Sequence, residues 1–196
     1  MWKVNEIFHS LQGEGYNTGT ASVFIRLCGC NLRCNFCDTR HEEGTMMSLP
    51  EIVEQVMQYP KAPLIVLTGG EPSLWIDEDF VMGLKTMTGK RIAIETNGTC
   101  PMPHSIDWVT LSPKDGIGNS GDAPVALTRC DELKVVYLGQ DLTQYDNITA
   151  THRYLQPCWT HDLEKRRHNL LMTVQAVMDN PQWRLSLQTH RIMGLK

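Results

Sequence analysis

Cys30, Cys34 and Cys37 stand in the run Gly29-Cys30-Asn31-Leu32-Arg33-Cys34-Asn35-Phe36-Cys37-Asp38-Thr39, a C-x3-C-x2-C spacing. Three thiolates on one short loop can wrap a corner of an iron–sulfur cubane, each binding a different iron. A cluster that only carries electrons takes four protein ligands, so three leave one iron open to a small molecule. Gly29 permits a tight turn, and Asn31 and Asn35 suit irregular backbone. Cys28 adds a fourth thiol, and a structural zinc site on Cys28, Cys30, Cys34 and Cys37 is the competing reading. The order C-x-C-x3-C-x2-C lacks the paired C-x2-C halves of a zinc ribbon, which favours the cluster and makes Cys28 a small buried neighbour of it. The chain has seven cysteines, and the crowding of four of them suits cluster or metal binding in a reducing compartment better than a disulfide framework.

Further polar groups stand where apolar runs end. Thr68-Gly69-Gly70-Glu71-Pro72 follows Leu64-Ile65-Val66-Leu67; paired glycines let backbone approach a ligand where a Cβ would clash, and a tight turn asks for the same residues. Glu95-Thr96-Asn97-Gly98 offers small polar side chains or a β-turn, and Ser112-Pro113-Lys114 a lysine able to meet a carboxylate. His9, His41, His104, His152, His161 and His168 show no metal-ligand spacing, and Met82, Met87, Met172 and Met178 are expected in the core.

The elements that must position these groups alternate. Strands are expected over 21–27, 64–67, 91–96, 108–111, 132–137, 153–156 and 183–188, with helices over 48–59, 77–87 and 161–178. Ser48 and Glu51 are placed as a capping box, with Ile52, Val53, Val56 and Met57 facing inward. A continuous apolar run such as 64–67 is how a strand buried on both faces reads. The alternation predicts a single α/β domain on a mostly parallel sheet, with its site at the carboxyl ends of the strands. Some connections are too short for full helices, so the barrel is incomplete. Charge is mixed, 18 basic against 22 acidic residues, which does not suggest a nucleic-acid surface. No apolar run reaches the ~20 residues of a membrane span, and the amino terminus lacks a signal peptide's apolar stretch, so a cytoplasmic protein is expected.

The cysteine spacing resembles the signature of the radical S-adenosylmethionine (SAM) superfamily. Within it, Asn5-Glu6-Ile7-Phe8-His9-Ser10-Leu11-Gln12-Gly13-Glu14-Gly15, Phe24-Ile25-Arg26-Leu27, Cys37-Asp38-Thr39, Leu155-Gln156-Pro157 and Trp183-Arg184-Leu185-Ser186-Leu187-Gln188-Thr189-His190-Arg191 together look like the 7-carboxy-7-deazaguanine synthase family. No piece is specific alone; the ordered set spans nearly the whole chain.

That resemblance implies one radical SAM core domain over 1–196, a shortened β6/α3 partial barrel, with a substrate-edge segment at 1–20, the cluster loop at 28–39 and a terminal strand and tail at 183–196. It implies a [4Fe–4S] cluster on Cys30, Cys34 and Cys37, with SAM on the open iron. Reductive cleavage of SAM then gives a deoxyadenosyl radical that takes a substrate hydrogen, with no catalytic side chain beyond that cofactor-derived radical. The activity implied is a carbon–nitrogen lyase's ring contraction of 6-carboxy-5,6,7,8-tetrahydropterin to 7-carboxy-7-deazaguanine with loss of ammonia, a step toward queuosine-type 7-deazapurines. Mg²⁺, a homodimer and a flavodoxin- or ferredoxin-type reductant come with it. The roles implied are SAM binding by Phe36, Asp38, Gly70, Glu71, Thr96, Asn97, Ser112, Pro113, Lys114 and Gln156. Substrate binding is implied for Leu11, Gln12, Gly13, Glu14, Arg26, Thr68, Gln188 and His190. Thr39 is the implied oxygen ligand of Mg²⁺. Two features depart from many relatives: eight residues separate Thr39 from Ser48, where longer insertions are common, and a thiol stands at position 28. The rival readings are a radical SAM activase of a glycyl-radical enzyme and, in another class, a non-catalytic zinc-binding interaction module.

Overall fold

The computed structural model describes residues 1–37, 39, 41–114 and 123–196. In chain order the elements are β1 (Trp2–Leu11), β2 (Ala21–Leu27), β3 (Thr45–Met47), α1 (Leu49–Met57), β4 (Leu64–Gly69), α2 (Glu78–Thr88), β5 (Arg91–Thr96), β6 (Trp108–Leu111), β7 (Arg129–Tyr137), β8 (Thr149–Pro157), α3 (Leu163–Asp179), β9 (Arg184–Leu185) and α4 (Thr189–Ile192). Among the described residues one sheet carries all strands in the order β3-β1-β2-β4-β5-β6-β7-β8-β9. From β2 to β9 every pairing is parallel, while β1 pairs antiparallel with both β2 and β3. Six parallel strands, β2 and β4 to β8, with three long helices make the expected incomplete α/β barrel. Short β9 and antiparallel β1 and β3 extend it at its edges.

Strand alternation divides the residues between two faces. One face carries Val23, Ile25 and Leu27 on β2, Ile65 and Leu67 on β4, and Ile92 and Ile94 on β5. These pack on Ile52, Val53 and Val56 of α1 and Phe80, Val81 and Leu84 of α2. Toward the other edge Leu111, Leu133, Val135 and Leu155 pack with Ala176 of α3 and Trp183. At about 1.5–3 kcal/mol per fully buried aliphatic side chain, this helix-covered face supplies most of the driving force for folding. The opposite face has a small apolar floor, Leu64, Val66 and Ala93 against Phe24 and Trp108. Above that floor it turns polar.

The helices begin and end where their caps stand. The Glu51 carboxylate accepts from both the N–H and the hydroxyl of Ser48 ahead of α1. Asp77 accepts from the Phe80 N–H at the start of α2, and Gly89 closes that helix at φ +67°. Lys90, buried, donates to the carbonyls of Tyr59, Pro60 and Ala62, tying the α1–β4 turn to β5.

Several expectations need correction. The expected strands begin at residue 21, yet ten residues before β2, Trp2–Leu11, form a strand, and β3 is likewise additional to the expected elements. Register shifts between Val4 and Glu6 on β1, and such a bulge breaks the two-residue period that would reveal a strand. The expected strand over 183–188 shortens to Arg184–Leu185. After Ser186 pairs back to the Leu155 carbonyl the chain turns into α4, whose Thr189 N–H docks on the Gly13 carbonyl. Met57, Met82, Met87 and Met178 are exposed, not core; they occupy the solvent side of helices whose inward positions are filled by smaller branched side chains and Phe80.

Candidate active site

The carboxyl ends of the parallel strands open on a cavity of about 460 Å³. Its lining follows from alternation. Arg26, Thr68, Glu95 and Gln156 are late residues on the cavity-facing side of β2, β4, β5 and β8, Lys134 faces it from the middle of β7, and Ser112 follows β6 directly. Phe24, stacked on Phe8 with centroids 4.9 Å apart, forms part of its apolar base.

The cysteine loop makes one wall. Cys30, Cys34, Cys37, Phe36 and Thr39 all line the cavity, and all three thiols are free. Among the described residues no three His, Cys, Asp or Glu side chains converge on a point that one metal ion could occupy. A single tetrahedral zinc needs such convergence; a cubane, which spreads its thiolates over different irons, does not. Cys28 stands apart: buried, off the cavity lining, its thiol donating to the Glu43 carbonyl at 3.0 Å. The donor set therefore fits a three-thiolate cluster better than a four-thiolate zinc. Thr39 brings its hydroxyl to 3.5 Å from the Arg26 guanidinium, an oxygen that could serve a hard cation.

The Gly69-Gly70-Glu71 corner holds that loop in place. A Cβ on Gly70 would come within 2.0 Å of the Gly29 carbonyl oxygen, and Gly69 sits at φ +137°, so glycine is needed here first for contact with the cysteine loop. The Glu71 N–H donates to the Gly29 carbonyl at 2.8 Å. The buried Glu71 carboxylate accepts from the N–H and hydroxyl of Ser73, from Thr96 Oγ1 at 2.7 Å and from the Asn97 N–H at 2.7 Å. Asn97 in turn donates to Asn31 Oδ1 in the cysteine loop at 3.1 Å. Gly70, Glu71, Thr96, Asn97, Ser112 and Lys114 thus form a polar wall beside the thiols, and burial pulls the Lys114 ammonium below the ordinary lysine range.

The segment after β1 also lines the cavity and reaches toward the far end of the sheet. Gly15 N–H donates to Ser186 Oγ, Tyr16 N–H to Glu132 Oε2, and Gly13 O accepts from Thr189. A Cβ on Gly13 would meet His190 Nδ1 at 2.1 Å. Leu11, Gln12, Gly13, Glu14, Gln188 and His190 so share one side of the cavity. Gln188 donates to Glu14 at 2.8 Å, whereas Gln188 Oε1 is buried without a hydrogen-bond partner among the described residues, as is the indole N–H of cavity-lining Trp159. An unused acceptor and an unused donor suit a polar ligand. Arg26 pairs through Nε with Glu6 at 2.8 Å, and Lys196 contacts the other Glu6 oxygen.

Of the residues singled out in the sequence, Pro113 is buried off the cavity lining and Asp38 lies outside the described residues. The other candidate cluster, Mg²⁺, SAM and substrate residues line this same cavity, and Cys28 does not. Glu6, Glu95, Lys134 and Trp159 belong to it or its support, and no role was expected for any of them. Lys134 had a signal: Glu132 and Lys134 lie two apart on a strand otherwise fit for full burial, so both charges must face whatever polar space the sheet encloses.

The radical SAM superfamily profile matches residues 24–179. The 7-carboxy-7-deazaguanine synthase of Bacteroides thetaiotaomicron is 53% identical over 196 residues, 100% of both chains, and that of Bordetella pertussis 36% identical over 217 aligned residues, 99% of each chain. The crystal structure of QueE from Escherichia coli superposes with a TM-score of 0.75 at 27% identity, covering 95% of this chain and 93% of that one. Streptococcus suis SuiB bound to precursor peptide SuiA reaches a TM-score of 0.53 at 15% identity over 80% of this chain and 46% of the other, a likeness of fold alone.

Proposed function

The chain belongs to the radical SAM superfamily and, within it, to the 7-carboxy-7-deazaguanine synthases, and from that membership we propose that it converts 6-carboxy-5,6,7,8-tetrahydropterin to 7-carboxy-7-deazaguanine with release of ammonia. The observation that carries this reading beyond family membership is the sharing of one cavity by three free thiols and the acceptor-rich group Gln12, Glu14 and Gln188.

Cys30, Cys34 and Cys37 would hold the [4Fe–4S] cluster. When bound, cluster and SAM supply the radical that takes a hydrogen from the substrate. The chain's own part is to bind, orient and exclude water. Gly70, Thr96, Asn97, Ser112, Lys114 and Gln156 would receive SAM, with Lys114 meeting its carboxylate. Phe36 and Asp38 would flank it, and Pro113 would back Ser112 and Lys114. Glu71 serves as the brace that aims Thr96 and Asn97, because its oxygens already accept four hydrogen bonds. The Glu14 carboxylate would accept from the pterin's 2-amino and ring N–H groups, with Leu11, Gln12, Gly13, Gln188 and His190 around it. Arg26, held at Nε by Glu6, has its terminal guanidinium nitrogens to offer the substrate carboxylate. Thr68 would hydrogen-bond the ring, and Thr39 would give Mg²⁺ one protein oxygen, the rest coming from ligand and water.

We place the enzyme in the cytoplasm, where free thiols persist; among the described residues no helix is long and apolar enough to cross a membrane. A flavodoxin- or ferredoxin-type protein would deliver the electron near exposed Cys37. A homodimer is supported by Leu163, Leu171 and Met178, all exposed along α3; a light-scattering mass of a single 22.2 kDa chain would contradict it. The reaction itself is tested by anaerobic incubation of reduced, reconstituted enzyme with SAM, Mg²⁺ and the carboxypterin. Deazaguanine and ammonia in equal amounts are expected; 5′-deoxyadenosine without deazaguanine would refute the substrate assignment.

A further inference from the structure

Lys134 has no place in the roles above, yet it lies at the centre of the cavity's charge. Its side chain is only 5% exposed, and its ammonium stands 2.6 Å from Glu14 Oε2 and 2.7 Å from Glu95 Oε2. The other oxygen of each carboxylate accepts from an amide: Gln188 Nε2 on Glu14 at 2.8 Å, Gln12 Nε2 on Glu95 at 3.2 Å. Gln188, Glu14, Lys134, Glu95 and Gln12 therefore form one continuous line. It joins the segment after β1, the end of β5, the middle of β7 and the start of α4. All five line the cavity.

We propose that Lys134 is a positioning residue for substrate recognition: it fixes Glu14 and Glu95 side by side as acceptors, so that the site selects a fused-ring substrate whose edge is rich in N–H donors. The inference rests on the pterin reading of the cavity and assigns the source of its selectivity.

A buried carboxylate without a cationic partner takes up a proton, and a protonated carboxyl presents an O–H where the ligand also presents N–H. Lys134 prevents this at Glu14. Although burial opposes ionisation there, the Lys134 charge and hydrogen bond, the Gln188 amide and His190 together hold the Glu14 carboxyl down at about 2. Glu95 is less protected: burial and the neighbouring Glu14 and Glu132 outweigh Lys134 and lift it to about 7. Lys114 also faces Glu95, from the loop after β6. One ammonium among three carboxylates thus gives one permanent acceptor, Glu14, and a second that shares a proton near neutrality. Two of the three ammonium N–H groups are committed to the carboxylates.

The test uses cluster-reconstituted protein with SAM and no reductant, so that calorimetry reads binding without turnover. Two ligands are compared: the carboxytetrahydropterin and its analogue with a carbonyl in place of the 2-amino group. Wild type should favour the pterin by about 100-fold, because a site built to accept N–H groups rejects an analogue that presents an oxygen. Lys134→Met should bind the pterin about 30-fold or more weaker at pH 7, the cost of leaving buried charges unpaired. It should regain part of that loss at pH 9 as Glu14 ionises, and its preference over the analogue should collapse at pH 7. Lys134→Arg should restore the preference. Lys134→Gln keeps a donor and removes only the charge, so it reads the same loss should the methionine variant fail to bind SAM. Either variant, still binding SAM, that holds the pterin within threefold of wild type with unchanged preference overturns the proposal. Failure of wild type to bind the pterin at all would instead refute the substrate reading on which the proposal rests.

Discussion

Cys28 and Cys30 are two residues apart and chemically unlike. Cys30 lines the cavity with Cys34 and Cys37, while Cys28 is buried against β1 and Gly44, where an added Cβ would stand 2.4 Å from its sulfur. Cys34→Ala should therefore abolish both the cluster's visible absorbance and 5′-deoxyadenosine formation. Cys28→Ala should keep both and cost about 1 kcal/mol of stability through the lost thiol–carbonyl contact. Equal loss in the two variants, read by iron content and nucleoside yield, would make Cys28 a ligand. The carboxylates carry a pH signature of opposite signs. Glu95 is raised from 4.5 to about 7, so across that window the folded protein keeps a proton that the unfolded chain releases, and stability falls as pH rises. Glu14 is lowered from 4.5 to about 2, so its contribution is present above 4.5 and lost as pH falls toward 2. Denaturant titrations should show the decline between pH 4.5 and 7 in wild type and not in Glu95→Gln; an identical profile in both would remove Glu95 as its source. The cysteine spacing, Glu14 and Arg26 were legible because each stands in a short motif. The pairings of Lys134 and Glu6 were not, because their partners lie far along the chain, 120 and 20 residues away; the spacing of Glu132 and Lys134 reports only that both face polar space.

At the scale of elements, the loops after β2, β4 and β5 act as one unit. The backbone of Gly70 touches that of Gly29, and Glu71 links both to Thr96 and Asn97. Gly70→Ala would drive a Cβ to 2.0 Å from a backbone oxygen, which cannot swing aside as a side chain could. The cysteine loop must shift instead. Iron per chain after reconstitution should fall at least by half and SAM affinity about tenfold, with the helices still intact by circular dichroism; full cluster occupancy would show that the loop is not held by this corner. The strands that lead into these loops were readable as apolar runs between turn residues, and their ends match the observed β2, β4, β5 and β6 closely. Antiparallel β1 was hidden because its bulge near Asn5 shifts the alternation partway along. The final strand was overestimated because Trp183 to Gln188 alternates well enough, yet the chain turns into α4 to dock on Gly13.

Across the whole molecule, the segment after β1 is what completes the cavity. It runs from β1 to contact β7 and the chain that follows β9, so that residues near both ends of the sequence line the same cavity as the three thiols. Nothing local in the sequence reports that closure; it was inferable only from the order of motifs along the full chain. Cys30, Cys34 and Cys37 would hold the cluster with three thiolates and leave one iron to SAM, in the cavity that Gly70, Thr96, Asn97 and Lys114 also line. The most direct measurement is electron paramagnetic resonance of the reduced, reconstituted protein before and after addition of SAM. The cluster's g-values should change on addition, and that change should be lost in Cys34→Ala along with the cluster itself. A reduced-cluster spectrum unchanged by saturating SAM would contradict it.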